Sequence, residues 1–316
     1  MMDAALDAVI DGAKLTFVEV SEVWVPKEGR LVLAEGDYGR HTDFAKASGT
    51  ESFAPGEGLP GKVWAEARPV VLKSFEGSYF KRTEAAKAAG LTSAVAIPVF
   101  AGAELKAVLT ILCADGDGRV GAVELWKDSD GLLMLDDGYY GAAKHFEWVS
   151  QHTHFPRGQG LPGGVAASKT PILMRDLGAG YRFIRADSAG KAGLTTGLGM
   201  PVPVPGGTSY VLTLLSARGT PLAHRFEIWD ARAEKVGRDG GAVLVDGICA
   251  REGALWNDQT ERRVLPWQGY VGRALATGVP QVDGSGAAGI AGGYTSIVVL
   301  PIHSDGAVSH VVAWYI

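Results

Sequence analysis

The sequence predicts an α+β fold that is built three times in succession, each time as an antiparallel sheet with helices on one face. Three landmarks recur in the same order at nearly equal intervals. The tryptophans of the first landmark, Trp24, Trp126 and Trp229, are 102 and then 103 residues apart in the 316-residue chain. Such a period indicates one structural unit that is repeated along the chain.

The first landmark is a glutamate that stands two residues before each of these tryptophans. It lies in an apolar stretch, which predicts a strand. In the first copy the turn residues 26–29 lead into a second predicted strand, residues 30–36. The three glutamates are Glu22, Glu124 and Glu227.

The second landmark is a glycine–leucine–proline–glycine step at residues 58–61 and 160–163, which returns more loosely at residues 269–272. Proline is tolerated in the first turn of a helix, where its missing N–H needs no partner, so each step predicts a short helix. Trp64 contributes to the inward-facing stripe of the first of these helices. Eleven residues after the first glycine, each copy has a proline that leads into a short strand: Pro69, Pro171 and Pro280.

The third landmark is a glycine followed eight residues later by a proline, with an apolar strand between them. In the first copy an alanine-rich helix is expected over residues 78–89, ended by Gly90 in a left-handed conformation. After each proline a glycine turn joins this strand to a second one as a hairpin. The pairs are Gly90 and Pro98, Gly193 and Pro201, and Gly293 and Pro301.

The third copy is shorter than the other two in the segment of this lid helix. Pro280 and Gly293 are 13 residues apart, against 21 and 22 residues in the first two copies, and the segment between them is rich in glycine, which disfavours helices. We therefore expect the third copy to lack most of the lid helix. The links between copies, residues 113–120 and 216–226, are too short for long connecting helices and predict a compact, trimer-like arrangement. The predicted domains are residues 1–116, 117–219 and 220–316.

Together these motifs resemble the GAF domain family, well in the first two copies and weakly in the third. The resemblance implies three tandem GAF-like domains, similar in shape to PAS domains, of which the third is degenerate. GAF domains bind small molecules in a pocket between the sheet and its helical lid, or serve as dimerisation platforms, in signal-transduction proteins such as bacterial-type sensors. The resemblance leaves the cofactor, if there is one, unknown.

Aromatic and basic residues of the lid segment align between the first two copies and are candidate ligand-binding residues. In one interpretation the aromatic rings are pocket walls and Arg82 or Arg185 meets an anionic ligand. In the alternative, the rings pack on the sheet and the arginines are solvated. The candidates in or near the lids are Trp64, Tyr79, Phe80, Arg82, Tyr181, Phe183 and Arg185.

The second copy also carries a polar cluster around its glycine–leucine–proline–glycine step. His152 and His154, two residues apart, would share one face of a strand, and Arg175 follows the next apolar segment. These residues could form a polar pocket wall, a metal site or a solvated strand face. A third metal ligand is not evident nearby in the sequence, so no metal is predicted.

Catalysis has little support in the sequence. Some proteins of the GAF type reduce free methionine sulfoxide with cysteines placed around the pocket, but Cys113 and Cys249 lie in different copies. A nucleophile and its resolving partner therefore do not share a domain. The signatures of bilin-binding and cyclic-nucleotide-binding GAF domains are also missing from the lid segments. We expect a protein that is not an enzyme.

Composition narrows the class of protein and its partners. With 47% hydrophobic and 21% charged residues, the chain has the composition of an ordinary globular protein. A net charge of −5 without a basic stripe argues against nucleic acid as a partner. No apolar run reaches the roughly 20 residues that a membrane span needs. Two cysteines and an acidic N-terminus favour the cytoplasm.

These observations predict a cytoplasmic sensory or regulatory protein that binds an unidentified small molecule in the first domain, the second, or both. This hypothesis expects a cavity beneath the lid of each of these domains. The alternative is a non-catalytic interaction or dimerisation scaffold with closed pockets. Its partner would be a second copy of the chain or a separate signalling protein.

Overall fold

The computed structural model describes residues 16–116, 118–178, 183–237, 240–255, 261–284 and 293–316. Within these ranges the chain forms antiparallel sheets with helices packed against them, so the predicted fold class is confirmed. Each sheet is built from one continuous stretch of chain, which we call a module. No helix of the described ranges is long and apolar enough to cross a membrane.

The first module has a six-stranded sheet in the order β3-β2-β1-β6-β5-β4. Strands that are distant in sequence, β1 and β6, lie side by side in its centre, which places the Glu-x-Trp strand beside the last strand of the module. Its elements are β1 (Val18–Lys27), β2 (Arg30–Asp37), α1 (Thr42–Gly49), β3 (Ser52–Phe53), α2 (Gly58–Glu66), β4 (Val70–Leu72), α3 (Thr83–Ala88), β5 (Leu91–Ala101) and β6 (Glu104–Ala114).

The second module repeats this topology, with its sheet in the order β9-β8-β7-β12-β11-β10. Its central pair is β7 and β12, which correspond to β1 and β6. Its elements are β7 (Val120–Ser129), β8 (Leu132–Gly141), α4 (Lys144–Gln151), β9 (Phe155–Pro156), α5 (Gly160–Ser168), β10 (Ile172–Arg175), α6 (Ala186–Ala192), β11 (Leu194–Pro203) and β12 (Ser209–Ala217).

The third module has the sheet order β15-β14-β13-β19-β18-β17, and β16 pairs with β14 beside this path. The pair β13–β19 corresponds to the central pairs of the other modules, and β18–β19 corresponds to β5–β6 and β11–β12. Its elements are β13 (Arg225–Asp230), α7 (Ala233–Val236), β14 (Ala242–Cys249), β15 (Gly253–Ala254), β16 (Arg263–Val264), α8 (Gly269–Thr277), β17 (Gln281–Asp283), β18 (Ile297–Ser304) and β19 (Ala307–Tyr315).

Several helices differ from the sequence prediction. The lid helix expected over residues 78–89 begins only at Thr83, because the Ser78 hydroxyl donates to the Phe75 carbonyl and accepts from the Phe80 amide, which competes with a helical turn. Helix α1 was not predicted, because its only strong apolar anchor is the buried Phe44. The expected loss of the lid in the third copy concerns mainly residues 285–292, which lie outside the described ranges.

The recurring glycine–leucine–proline–glycine step is explained by close packing of backbone. A Cβ atom at Gly61 would overlap the carbonyl oxygen of Ala54, and one at Gly163 would overlap that of Pro156. The chain therefore needs glycine where this helix crosses the preceding loop. The Gly56 amide also donates to the Gly61 carbonyl at 2.7 Å, which closes the loop onto the helix.

The two faces of each sheet have different roles, since successive residues of a strand point to opposite sides. One face packs against the helices of its own module. The other face contributes to a single apolar core shared by all three modules, which includes Val23, Leu125, Ile228 and Trp314. Glu22 and Trp24, the neighbours of Val23, therefore face the helices.

The three sheets meet around a common centre. Strands β5, β11 and β18 contact one another in all three combinations, and the prolines of the third landmark, Pro98, Pro201 and Pro301, line one crevice there. The short links reinforce this arrangement, because the Thr220 hydroxyl bonds to both the amide and the carbonyl of Val120 at 2.7 Å. The compact arrangement expected from the short links is present.

Successive modules also touch along what we call seams. In the first seam β4 of the first module contacts β8 of the second, and in the third seam β17 of the third module contacts β2 of the first. In the second seam Arg175 on β10 donates to Asp246 on β14. The edge of each module thus meets the second strand of the next, which closes a ring.

Candidate functional site

The space between sheet and lid in the first module is centred on an ion pair. Glu22 on β1 is fully buried, and Arg82, which precedes α3, is 5% exposed. Arg82 donates to both carboxylate oxygens of Glu22, one nitrogen to each, with Nη2 and Oε2 2.9 Å apart. This paired geometry is the strongest that arginine and a carboxylate form.

The remaining hydrogen-bonding capacity of Glu22 is also used. Although burial alone raises the pKa of a carboxyl group, the Arg82 guanidinium and the surrounding hydroxyl groups bring the pKa of Glu22 below its ordinary value. The group is therefore a carboxylate at neutral pH. Three further groups donate to it at 3.0–3.1 Å: Trp24 Nε1, Tyr38 Oη and Thr110 Oγ1.

Arg82 is surrounded as completely as its partner. It donates to the Ser48 hydroxyl as well as to Glu22. Its guanidinium carbon lies 4.7–5.3 Å from the ring centres of three aromatic side chains, within the range of cation–π interactions. The rings are those of Trp24, Phe44 and Phe80.

The second module contains the same cluster. Arg185 donates to both oxygens of the buried Glu124 and to the Ser150 hydroxyl. As in the first module, the arginine brings the pKa of a carboxyl group that burial would raise below its ordinary value. The other donors to Glu124 are Trp126, Tyr140 and Thr213.

The third module has the same carboxylate and tryptophan, but its arginine comes from a different position in the chain. Glu227 accepts from Trp229 Nε1 at 2.9 Å. Its arginine is Arg225, two residues earlier on the same strand, and its tyrosine is Tyr315 on the neighbouring strand β19. The cluster therefore does not need an arginine from a lid. We refer to these three assemblies as the carboxylate–arginine clusters.

The structure places the aromatic lid candidates mainly in the core. Phe80 is buried and stacks on Phe75 with ring centres 4.0 Å apart, and Phe183 is buried near Phe146. Trp64 is half-buried against the helix-side core. Tyr79 is 40% exposed and lies beneath the Lys62 ammonium on the outer surface. Tyr181 lies outside the described residues.

The sequence offered two orientations for the lid arginines, toward an anionic ligand or toward solvent, and the structure shows neither. Arg82 and Arg185 are neither solvated nor directed at an open cavity, because each is buried against a carboxylate of its own module. The anion that each one contacts is Glu22 or Glu124. The aromatic side chains and the arginine together occupy the space in which the sequence predicted a ligand.

The expectation that His152 and His154 share a strand face is wrong. Residues 144–151 form helix α4, and His152 ends it with Nδ1 2.7 Å from the Trp148 carbonyl oxygen, so a spacing of two does not place the two rings on one side. Both histidines are exposed. Arg175 contacts Asp246 in the second seam.

Both cysteines are free thiols that lie in buried surroundings. Cys113 is buried in the shared core, and burial raises the pKa of its thiol well above the ordinary range. Cys249 is buried in the third module, with its sulfur 3.0 Å from the Tyr294 hydroxyl. Across the described ranges, no group of three or more histidine, cysteine or acidic side chains is arranged to hold a metal ion.

Sequence reasoning missed the buried glutamates as functional groups. They were visible as a landmark, and a charged residue inside an apolar strand in all three copies indicates a buried ion that needs a partner. The partner could not be identified in the same way, because Arg82 lies 60 residues from Glu22 in the chain. Ser48 and Ser150 lie on helices that were not predicted.

Comparison with solved structures returns partial matches, with TM-scores below 0.3 for the three described here. The GAF domain of A. aeolicus nlh2 in an inactive state is 27% identical over 32% of this chain and 60% of that chain, with a TM-score of 0.27. The fRMsr of Staphylococcus aureus in its reduced form is 19% identical over 37% and 71%, with a TM-score of 0.26. The GAF domain of an Acinetobacter phosphoenolpyruvate-protein phosphotransferase is 20% identical over 35% and 62%, with a TM-score of 0.24.

This chain thus spans less than two thirds of the first and third of these chains. No curated protein matches it. The family model of the GAF domain matches residues 1–126, which contain the first carboxylate–arginine cluster. That match supports, for this part of the chain, a GAF domain of the sensory or regulatory, small-molecule-binding kind in general.

Proposed function

We propose that the chain is a non-catalytic regulatory scaffold, in which three GAF-type modules, the third degenerate, act as one rigid unit. The observation that carries the proposal is the filled space between sheet and lid in the first two modules. Arg82 and Arg185 close this space from within by binding Glu22 and Glu124. The surfaces of the unit then carry its function, through a second copy of the chain or a separate signalling partner.

The cost of separating a buried ion pair favours the state in which the lid arginines fill the space beneath the lids. A ligand anion that took Arg82 from Glu22 would leave a buried carboxylate without its counterion, and loss of one partner of a buried pair costs about 3–5 kcal/mol. The same penalty applies to Arg185 and Glu124. A ligand would have to offset it before showing any net affinity.

The absence of catalysis is part of the proposal. Cys113 is buried, and the raised pKa of its thiol disfavours the thiolate that acts as a nucleophile. Cys249 lies in another module and contacts Tyr294. A cytoplasmic location stays a prediction from the sequence.

Closure is tested by removing the lid arginines in the full chain. We expect Arg82→Met and Arg185→Met each to lower the free energy of unfolding by about 3–5 kcal/mol, because each leaves a buried carboxylate unpaired. The matched control is Arg218→Met at an exposed arginine, which we expect to change the free energy by less than about 0.5 kcal/mol. Urea denaturation followed by tryptophan fluorescence measures all three. If Arg82→Met behaves like the control, the lid is not closed in solution.

A second candidate function is a small-molecule sensor with its pocket in the first module, the second, or both. It is favoured by the GAF match over residues 1–126. Native mass spectrometry of the gently purified full chain discriminates between the two candidates. A retained organic molecule that Arg82→Met or Arg185→Met releases would support the sensor and contradict the closed scaffold. Light scattering of the same sample would show whether a homodimer forms.

A further inference from the structure

A buried histidine and a buried aspartate face each other on neighbouring strands of the third module. Asp230 on β13 and His310 on β19 are register partners in the sheet, and they are 2% and 3% exposed. A buried acid at this position is particular to the third module. The residue that follows the tryptophan of the first landmark is Val25 in the first module and the exposed Lys127 in the second.

The two side chains are close but not hydrogen-bonded to each other. His310 Nε2 lies 3.8 Å from Asp230 Oδ2, which is beyond hydrogen-bond distance, and within the described ranges Nε2 has no other hydrogen-bond partner. The other ring nitrogen, Nδ1, lies 3.1 Å from the Ser309 hydroxyl oxygen. Burial lowers the pKa of His310 from its ordinary value of 6.5, although Asp230 opposes the shift, so the imidazole is neutral at neutral pH. A proton taken up by Nε2 would face a carboxylate directly.

That carboxylate is already held by Arg232. The guanidinium donates to both oxygens of Asp230, with 2.6 Å between Nη2 and Oδ2, and the Arg232 amide donates to Oδ1 at 3.0 Å. Arg232 is also the N-cap residue of helix α7, because its carbonyl accepts from the amides of Lys235 and Val236. The start of α7 is therefore fixed to the sheet through Asp230. The Arg232 side chain is 39% exposed, so water can replace the carboxylate as its partner.

Helix α7 forms part of the wall of a cavity of about 580 Å³ between the second and third modules. Ala233 and Val236 line this cavity from α7, and His310 lines it from β19, so a proton can reach the imidazole without unfolding of the module. Asp230 and Glu234 favour the charged imidazole, whereas Arg232 opposes it. The charged residues that act on the imidazole or line the same cavity are Asp230, Arg232, Glu234, Lys169 and Asp305.

We propose that these residues form a proton-responsive switch, in which protonated His310 binds Asp230, displaces the Arg232 guanidinium into water and frees the start of helix α7. Nε2 takes the proton without losing a partner. The new charge-assisted bond requires His310 and Asp230 to approach each other by roughly 1 Å. The imidazolium and the guanidinium repel each other, so they do not hold one carboxylate together.

Acidification thus loosens one wall of the cavity between the second and third modules. The direction follows from linkage. The closed arrangement disfavours the proton on His310, so an opened arrangement binds it more readily and gains population as the pH falls below 6.5. The switch does not rest on the closed lids, because Asp230 lies on the same sheet face as Ile228, which faces the shared core and not the helices.

The switch is tested by native-state hydrogen exchange of the full chain between about pH 7.5 and about pH 5, expressed as protection factors corrected for the intrinsic pH dependence of exchange. The amides to follow are those of Arg232, Lys235 and Val236. We expect their protection to fall by about tenfold as His310 titrates, the factor that corresponds to one pKa unit. In His310→Gln, which takes up no proton, their protection should stay constant over this range.

The matched control is His154→Gln, at an exposed histidine of the second module, which should keep the pH dependence of wild type. The titration of His310 is followed by NMR of its ring, whose signal is assigned by its absence in His310→Gln. A second variant, Arg232→Gln, removes the competing cation from the same carboxylate. We expect the midpoint of His310 to rise in this variant, and the α7 amides to be weakly protected at both ends of the pH range.

Thermal unfolding at about pH 7.5 establishes that each variant is folded before exchange is compared. Two results would overturn the proposal: protection of the α7 amides that stays constant while His310 titrates, or an equal fall of protection in His310→Gln and wild type. If His310→Gln does not fold, an unchanged His310 midpoint in Arg232→Gln would overturn it instead. None of these results bears on whether the lids are closed, which Arg82→Met and Arg185→Met test separately.

Discussion

At the scale of single residues, the molecule is organised around one buried glutamate in each module. Glu22 and Glu124 obtain their counterions from the lid, and Glu227 obtains its own from Arg225 on the same strand. The tryptophan two residues later donates to the carboxylate in all three modules. A buried carboxylate whose oxygens are all hydrogen-bonded favours one packing arrangement, since each alternative leaves a buried charge with fewer partners.

The first residue-scale prediction concerns pH. The folded state holds the pKa of Glu22 below its ordinary value of 4.5, so its contribution to stability is complete above that pH and is lost as the pH falls through the folded-state pKa. We expect wild type to exceed Glu22→Gln in free energy of unfolding at neutral pH, and the difference to shrink on acidification. Denaturant titrations between about pH 7 and pH 3 measure it.

The control for this experiment is Glu104→Gln, at a glutamate whose side chain is 70% exposed. Its free energy of unfolding should follow that of wild type at every pH. A difference between wild type and Glu22→Gln that stays constant, or grows, as the pH falls would contradict the assignment of a buried carboxylate.

The second residue-scale prediction concerns Trp267, which is 68% exposed and has a φ of 70°. Gly56 and Gly158 occupy the same loop position in the other modules, with φ values of 83° and 86°. A bulky residue is strained in this region, by roughly 1–2 kcal/mol. We expect Trp267→Gly to stabilise the protein by up to about 1 kcal/mol, because it relieves that strain. Thermal unfolding measures the effect, and a destabilised variant would show that the indole packs on the fold.

At the scale of elements, the helix that opens with the glycine–leucine–proline–glycine step is fixed by backbone contact. Gly58 and Gly160 adopt positive φ values at its start, and the next glycine of the step lies against a carbonyl oxygen. The same holds for Gly269 and Gly272, which explains why both glycines of the step recur in all three modules. Helices α1 and α4 recur too, each with a buried phenylalanine and a buried serine, although their sequences hardly resemble each other.

The prediction at this scale is Gly61→Ala. Its methyl group would overlap the Ala54 carbonyl oxygen, so helix α2 must move away from the sheet, and we expect the free energy of unfolding to fall by about 1–3 kcal/mol. The control is Gly49→Ala in α1, where nothing lies within 4 Å of the new methyl group. There the better helix propensity of alanine should stabilise the protein by up to about 1 kcal/mol. Equal effects of the two changes would argue against the backbone contact.

At the scale of the whole molecule, three modules form a closed ring inside one chain. The edge of each module meets the second strand of the next, and the inner faces of the three sheets share one core. This is the arrangement of a cyclic trimer with head-to-tail contacts. Each module uses one surface to contact the module before it and a different surface to contact the next, and three such steps complete the circle. Covalent linkage lets the three seams differ, and in the third module Gly284 stands at the position that corresponds to Lys73 and Arg175 in the other two.

The prediction at this scale compares two leucines of strand β12 that point to opposite faces. Leu212 lies in the shared core and Leu215 in the helix-side core of the second module. We expect Leu212→Ala and Leu215→Ala each to cost about 2–5 kcal/mol in free energy of unfolding. Native-state hydrogen exchange should show faster exchange in all three modules for Leu212→Ala, but mainly in the second for Leu215→Ala. Identical exchange patterns would mean that the modules do not share a core in solution.

The sequence by itself determined the repeat, the strands and the turns between them. These depend on short patterns, such as apolar alternation and glycine or proline at fixed offsets, that act within a few residues. Only the tertiary structure decided that Arg82 binds Glu22, that His152 ends a helix, and that Arg175 contacts Asp246 in another module. These contacts join groups that are distant in the chain, so their partners depend on how the sheets twist and pack, which no local pattern records. The structure thereby placed an internal carboxylate where the sequence had predicted a ligand.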